Sequence, residues 1–595
     1  MPFSSSHAAA VERTPIRLDS AGLACAAIAL PTLIAFNVPP SATFFNQAAA
    51  LIGWGAWLTW LTASIRPQRR RSRQGLPTLH VAFALLLLAS IAASFWAALP
   101  SPLALSCAGL IVAAALAAAS AAALQRAGHG LSSFQAFCVA LTVAALLSAA
   151  IGVIQVFAPA WADGDWIART SLPDRAVGNM RQPNHLSSLL LWGIIASVWL
   201  AEAAVLRRAW LTWVTLLLLF VLVLTGSRTG ALGTGVLVLW GLLDRSLSRR
   251  VRWLLCSTPL AYALFWLGMS AWADLSHHVF GAETRFSTHG DVSSSRFAIW
   301  SNTLALIRAH PWAGVGFGEF NFAWTLTPFP DRPIAFFDHT HNLVLQLAVE
   351  LGIPLALVVL TLFGWALLAA FRQARRATAA AGAPPIQRAA LVMVLMIALH
   401  SMLEYPLWYA YFLLPAAFAF GLCLAEPDLS RLSAAHEAKD GSAPTRPLLV
   451  AAMLLMLGGM FALYDYTRVV AIFAPPAGAA PLADRIANGR RSVFFSHHAD
   501  YAAATTVEHP SDAMWAFKGA PHYLLDARLM QAWAIALDEA GDTDRARHLA
   551  ARLKEFRSDQ SEEFFAVCSD APRSGAKRPF QCEPPSRAYT YLDFR

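Results

Sequence analysis

The residues best equipped for chemistry are Asp338-His339-Thr340-His341-Asn342, where a long polar loop runs into an apolar helix predicted from Leu343 to Ala370. Ionisable groups at the edge of a hydrocarbon-length helix are costly there and mark a functional site by default. An unperturbed imidazole titrates near neutrality, so His341 can take a proton from a hydroxyl as a general base outside the membrane. The plainer reading is a helix start capped by His and Asn342. Glu350 and Gly352-Ile353-Pro354 follow on the same segment.

Three further clusters fall on the same predicted side. In Gly178-Asn179-Met180-Arg181-Gln182-Pro183-Asn184-His185, the side chains of Arg181, Gln182 and Asn184 can offer donors to a polar ligand. Asn and Pro also simply begin helices. Thr225-Gly226-Ser227-Arg228-Thr229-Gly230 joins two apolar runs with almost no room for a loop. Glycine on both sides lets backbone approach a ligand, and the planar fork of Arg228 suits phosphate, although an Arg there can equally snorkel to the interface. The spacing is not that of a Walker loop. His400-Ser401-Met402-Leu403-Glu404-Tyr405-Pro406 joins two more runs, and Glu404 and Tyr405 can serve the same cavity. Arg296, in the long loop, is unremarkable by itself.

Bulk composition sets what must hold these residues. Hydrophobic residues make up 57% of the 595 and charged residues 14%, with a mean hydropathy of +0.49. An ordinary soluble domain is about 25% charged. The Leu/Ala-rich runs are long enough as helices to cross a hydrocarbon core, and they lack the short alternation of a barrel. The expectation is an all-α, polytopic transmembrane helical bundle. Its spans lie near 21–40, 44–64, 78–98, 103–125, 133–158, 184–205, 209–225, 229–244, 252–273, 343–371, 389–404, 407–425 and 447–470, roughly 12–13 crossings. Arginine-rich loops at 66–73, 207–208, 245–250 and 372–388 alternate with loops poor in positive charge, which places the former in the cytoplasm. The divisions are then 1–20, a cytoplasmic N-terminal segment; 21–273, membrane helices; 274–342, a long outward-facing loop; 343–470, membrane helices; and 471–595, an outward-facing helical region. The first apolar run reads as a retained span rather than a cleaved signal. The net charge of +9 is explained by these topology signals, so no nucleic-acid partner is expected.

Within the long loop, Ser295 to Leu306 forms an amphipathic stretch suited to the membrane surface. Gly314-Val315-Gly316-Phe317-Gly318 follows a helix rather than a strand, so it predicts a tight bend and not a dinucleotide fingerprint. In the tail, Ala532, Ala534 and Leu537, a turn at Gly541-Asp542, then Ala546, Leu549 and Leu553 predict a helical hairpin packed on the membrane domain. The Pro- and charge-rich end, Ser569 to Arg587, predicts irregular chain. Five cysteines lie in apolar runs; Cys568 and Cys582 lie in the outward tail, where a disulfide is permitted. No Cys-x-x-Cys or His-Glu-x-x-His pattern occurs, so neither a metal site nor a cofactor is expected.

The Gly-Ser-Arg-Thr-Gly turn, Ser295-Arg296-x3-Trp300 and the His339-x-His-Asn-Leu-x-Leu-Gln-Leu-x-x-Glu-x-Gly352 segment, in this order among many spans, resemble the bacterial O-antigen ligase and polymerase superfamily. Arg181-Gln-Pro-Asn-His185, Leu403-Glu-Tyr-Pro406 and the helical tail are similar to its protein O-oligosaccharyltransferase branch, which glycosylates pilins and other exported proteins. The resemblance covers most of the chain from about residue 150 onward. It implies an inner-membrane enzyme that moves a glycan, without metal, from an undecaprenyl-diphosphate-linked donor to a hydroxyl on the periplasmic side. It further implies that His341 is the catalytic base, that Arg228 and Arg296 hold the donor diphosphate, and that Gln182 and Tyr405 are further site positions, with His339 as a lesser candidate. The rivals are ligation of O-antigen to lipid A core, polymerisation of repeat units and, in a different class, a transporter or flippase. Polar residues at span ends and the absence of an internal repeat argue against the last.

Overall fold

The computed structural model describes residues 18–63, 65, 75–170, 172, 174–277, 279–281, 283, 292–330, 332–334, 336–379, 383–425, 446–569 and 578–595. The expectations for most of the N-terminal segment, the arginines at 66–73 and part of the Pro-rich end lie outside them. The only regular elements among the described residues are helices, without a strand.

Helices occupy the predicted apolar runs: α1 Leu18–Leu33, α2 Phe44–Ala63, α3 Leu76–Trp96, α4 Ser101–Arg126, α5 Gly130–Phe157, α6 Pro183–Glu202, α7 Arg208–Leu224, α8 Arg228–Leu243, α9 Arg249–Cys256 and α10 Thr258–Ser276. The loop carries α11 Val292–Ala309 and α12 Phe320–Leu326; α13 Leu343–Arg376, α14 Ile386–Ser401, α15 Ala410–Cys423 and α16 Arg446–Phe473 return to the apolar layer. Six of these helices are long and apolar enough to cross a membrane, and α9 with α10, bent by 43°, makes a seventh if the pair is one span. The sequence count of 12–13 is therefore not reached by length alone. The shortfall lies largely in α7, α8, α14 and α15, apolar helices of at most 17 residues. At 1.5 Å per residue a 16-residue helix rises about 24 Å, less than a hydrocarbon core of about 30 Å. If the far ends of these helices stand at the membrane interface, the turns between α7 and α8 and between α14 and α15 lie within the hydrocarbon layer. Non-helical backbone is tolerated at such depth only inside protein.

That protein is the bundle's interior. Every residue in the apolar window of α6 is buried, and the helix packs against α5, α7, α8 and α14. By contrast only 11% of the corresponding window of α16 is buried, so this helix lies at the edge, against α2.

A second core lies outside the apolar layer. Ile299, Leu306 and Ile307 of α11 are buried together with Phe322, Trp324 and residues of the tail, so this face of the amphipathic stretch packs on protein, while Phe297 and Leu304 stay exposed. The tail helices α17 Leu482–Gly489, α18 Ser496–Thr506, α19 Ala527–Glu539, α20 Thr543–Glu555 and α21 Glu562–Ala566 share that core with the loop. The hairpin α19–α20 is capped by Asp526 and Asp542, whose side chains accept from the Leu529 and Arg545 amides. Phe336 stacks on Phe556 at 3.8 Å, Arg332 pairs with Glu555 at 2.9 Å, and His522 meets Glu319 at 2.8 Å with both side chains buried. Loop and tail therefore form one unit instead of two separate segments. Cys568 and Cys582 are joined by a disulfide. From residue 578 on, the chain runs in short turns, as its composition predicts.

The glycine-rich bend serves α13. Gly352 breaks this helix at φ 74°, and the Val315 and Gly316 amides donate to the Val349 and Glu350 carbonyls at 2.8 and 3.1 Å. A Cβ on Gly352 would collide with the Trp312 carbonyl, so the close approach requires glycine. The bend thereby supports the first turns of α13, at whose head the His segment sits.

Candidate functional site

The site is built on Glu404, in the turn after α14. The side chain is 4% exposed, and each oxygen is used. Oε2 accepts from His341 Nδ1 at 2.6 Å; Oε1 accepts from Asn184 Nδ2 at 2.8 Å and is paired with the Arg296 guanidinium. Burial alone would raise the carboxyl's pKa. The His341 hydrogen bond and the nearby His341 and Arg296 charges outweigh it and hold Glu404 down to about 2, so it is an anion throughout the physiological range.

Asn184 passes the network to the other deep turn. Its Oδ1 accepts from Ser227 Oγ at 2.6 Å, and Ser227 also receives the Ser187 hydroxyl at 3.1 Å while capping α8 through the Gly230 amide at 3.0 Å. Arg228 is the first residue of α8, next to this serine. The turn is further fixed by Arg175, buried, whose Nε and Nη2 donate to the Thr225 carbonyl at 3.0 and 2.7 Å.

His341 is held as tightly on its own segment. It has φ 55°, a left-handed conformation uncommon for a residue with a Cβ. Its neighbours impose it. Asn342 caps α13 by accepting from the Leu345 amide at 3.1 Å and donates to the Met402 carbonyl at 3.1 Å. The Thr340 carbonyl accepts from Trp300 Nε1 at 2.9 Å, and the Thr340 amide donates to Gln346 at 2.8 Å. The capping reading of Asn342 and a chemical role for His341 are thus compatible, since the cap fixes where the imidazole stands.

An aromatic wall closes one side. Tyr405 stacks on His339 with ring centroids 4.2 Å apart and meets His341 edge-on at 5.0 Å, and Trp408 adds an edge contact to His339 at 4.9 Å. His339 Nδ1 lies 3.2 Å from Asp338. Burial pushes the Tyr405 phenol far up, so it stays protonated.

Of the positions singled out from sequence, His341, Arg296, Glu404, Asn184, Asn342, Tyr405 and His339 meet here. Arg181 does not: its Nη1 and Nη2 donate to the Ala42 and Ala35 carbonyls at 3.0 and 2.6 Å, tying the α1–α2 connection to the head of α6. Asn184 likewise has both side-chain ends engaged within the protein, Nδ2 with Glu404 and Oδ1 with Ser227. Gln182 retains a buried Oε1 without a hydrogen-bond partner. Sequence reasoning passed over Ser227 as a bridge and Arg175 as a clamp. For Ser227 the signal was its N-cap position before Arg228-Thr229-Gly230; for Arg175 there was none. No group of three or more metal-ligating side chains occurs among the described residues.

Fold and site together define a multi-pass helical membrane protein with a His–Glu–Arg cluster where a soluble loop meets the bundle. Comparison with known proteins agrees. The O-antigen ligase family matches residues 213–360, which hold Arg228, Arg296 and His341; a protein glycosylation ligase family matches 176–201. The C-terminal region of the virulence factor membrane-bound polymerases matches 388–566, which hold Glu404 and the tail as far as α21. Among curated proteins, a general O-oligosaccharyltransferase of Acinetobacter baylyi is 28% identical over 262 residues, 43% of this chain and 44% of its own length. A ComP-specific O-oligosaccharyltransferase of the same organism is 25% identical over 255 residues, 42% of this chain and 44% of its own length. The chain therefore matches less than half the length of either relative. Together the matches make the chain similar, region by region, to O-antigen ligases and to O-oligosaccharyltransferases.

Proposed function

We propose that the protein is an inner-membrane O-oligosaccharyltransferase that moves a glycan from an undecaprenyl-diphosphate-linked donor to Ser or Thr hydroxyls of periplasmic proteins such as pilins. The observation that carries the proposal is the 2.6 Å contact of His341 Nδ1 with an ionised, buried Glu404. A carboxylate accepts only, so it fixes the proton on Nδ1 and leaves the Nε2 lone pair as a base.

In the reaction, the acceptor hydroxyl gives its proton to Nε2 as its oxygen attacks the anomeric carbon. The bond from that carbon to the diphosphate oxygen breaks, and its electron pair leaves on undecaprenyl diphosphate. Arg228 and Arg296 hold the diphosphate and stabilise its growing charge, without a metal. Arg296 is shared with Glu404, but its Nε is buried without a hydrogen-bond partner, which leaves a donor for a phosphate oxygen. Tyr405, His339 and Gln182 border the substrates. The loop 274–342 and the region from 471 onward face the periplasm in this reading, and the segment 1–20 faces the cytoplasm.

The match to membrane-bound polymerases over 388–566 supports a second reading, in which the acceptor is another glycan or lipid A core. Purified protein given a lipid-linked oligosaccharide and a pilin-like peptide separates the two. Under the first reading the peptide gains the glycan mass on Ser or Thr; transfer to glycan or lipid A core with an unmodified peptide would establish the second.

A further inference from the structure

A cavity of about 520 Å³, within the range of ligand sites, lies between α2, α4, α16 and the start of the tail. Its long walls are aliphatic: Leu103, Leu110 and Leu116 from α4 face Leu454 and Leu455 from α16. Both helices are among those long and apolar enough to cross the membrane. Leu105, Val112 and Leu454 on its rim are exposed, so the cavity opens sideways to the bundle's exterior. Its outer end is polar, with Gln47, Tyr466, His497, His498 and Tyr523.

That end carries an unsatisfied group. His497 is 4% exposed, and neither ring nitrogen has a hydrogen-bond partner, although the ring packs on His498 at 4.2 Å and Tyr523 at 4.5 Å. A buried, unpaired polar group costs about 1–3 kcal/mol, so an imidazole kept this way is suited to a ligand that supplies the partners. Burial pushes both imidazoles down, His498 to about 3, so the neutral rings offer one donor and one acceptor each. No Lys, Arg, Asp or Glu occurs among the described residues that line the cavity.

We propose that this cavity binds one phospholipid of the surrounding bilayer, with an acyl chain along the α4–α16 walls and the glycerol ester region hydrogen-bonded to His497. The lining selects that occupant. A diphosphate buried at this head would find no cation to compensate it, whereas a phospholipid held by its ester region leaves its phosphate outside the slot, in water. An aliphatic chain with an ester head satisfies both ends, and the side opening joins the slot to the bilayer that supplies it. The bound lipid would seal α16 and the tail against α2 and α4.

Two glycines make the test clean. A Cβ added at Gly109 or at Gly458 meets nothing within 4 Å, and both line the cavity, so Gly109→Leu and Gly458→Leu add bulk at the slot from positions with open space. The full-length protein is reconstituted in nanodiscs of phosphatidylethanolamine and phosphatidylglycerol doped with a phospholipid carrying a photoreactive acyl chain. Cross-linked peptides are mapped, and retained lipid is weighed by native mass spectrometry. The wild type should retain one phospholipid and cross-link within 103–116 and 451–462. Each leucine variant should lower both signals about tenfold, and His497→Ala about three- to tenfold. Uniform labelling around the bundle, signals unchanged in the leucine variants, or a retained isoprenoid diphosphate in place of phospholipid would overturn the proposal. Glycan transfer is not read, so the outcome is independent of the reaction proposed above.

Discussion

Two histidine pairs sit at the outer end of the bundle in opposite surroundings. His339 and His341 are part-buried and tied to carboxylates: Asp338 lies 3.2 Å from the first and Glu404 2.6 Å from the second. His497 and His498 are buried among aromatic rings; burial pushes both pKa values down, and the His498 ring beside it lowers His497 further. The first pair is equipped to exchange a proton because a fixed anion orients the ring. The second is equipped to stay neutral and to hydrogen-bond. Imidazole chemistry is decided here by partners rather than by the spacing of histidines along the chain.

Breaking the first pair tests the contrast most strongly. His341→Ala should lower glycan transfer by about 10²–10⁴-fold while membrane insertion and donor accumulation remain normal, as measured by acceptor mass in cells; transfer at the wild-type rate would remove the imidazole from the chemistry. Arg228→Lys keeps the charge but not the fork, and about a tenfold or larger loss of transfer from lipid-linked donor is expected. Full activity in that variant would dismiss the diphosphate role.

Glu404 sharpens the comparison through pH. Its folded pKa of about 2 lies below the usual carboxylate value of about 4.3, so the anion stabilises the fold above that value. The contribution is lost as pH falls toward 2. It amounts to about 3 kcal/mol for this buried group, to order of magnitude. In detergent, wild type should therefore lose more stability than Glu404→Gln between pH 5 and pH 2; parallel melting curves for the two would show that the carboxylate carries no such linkage. The smallest effect belongs to the cap. Asn342→Ala should cost about 1 kcal/mol of stability and weaken transfer through looser placement of His341. A variant indistinguishable in both melting and rate would mean that Met402 and Leu345 do not need the amide.

Much of the architecture was readable in advance. Apolar runs set the helix positions because backbone polar groups in lipid must be satisfied within the segment. Asp526 and Asp542 start the tail hairpin where their side chains can accept amide hydrogens. Arg181 shows where such reading ends. A guanidinium beside Gln182 and Asn184 reads as a ligand donor, yet it binds carbonyls about 140 residues earlier in the chain. Loop and tail looked like separate pieces because the faces of a shared core carry no mark of their partner.

The amino-acid order alone thus determined that this is a helical membrane protein, which turns interrupt its helices, and that His341 stands at a helix head, since hydropathy, capping and backbone geometry act over a few residues. Only the tertiary structure decided that Glu404 joins His341, Arg296 and Asn184, partners 63, 108 and 220 residues away. A buried carboxylate must find its hydrogen bonds and counter-charge wherever packing brings them, and packing is not written in local sequence.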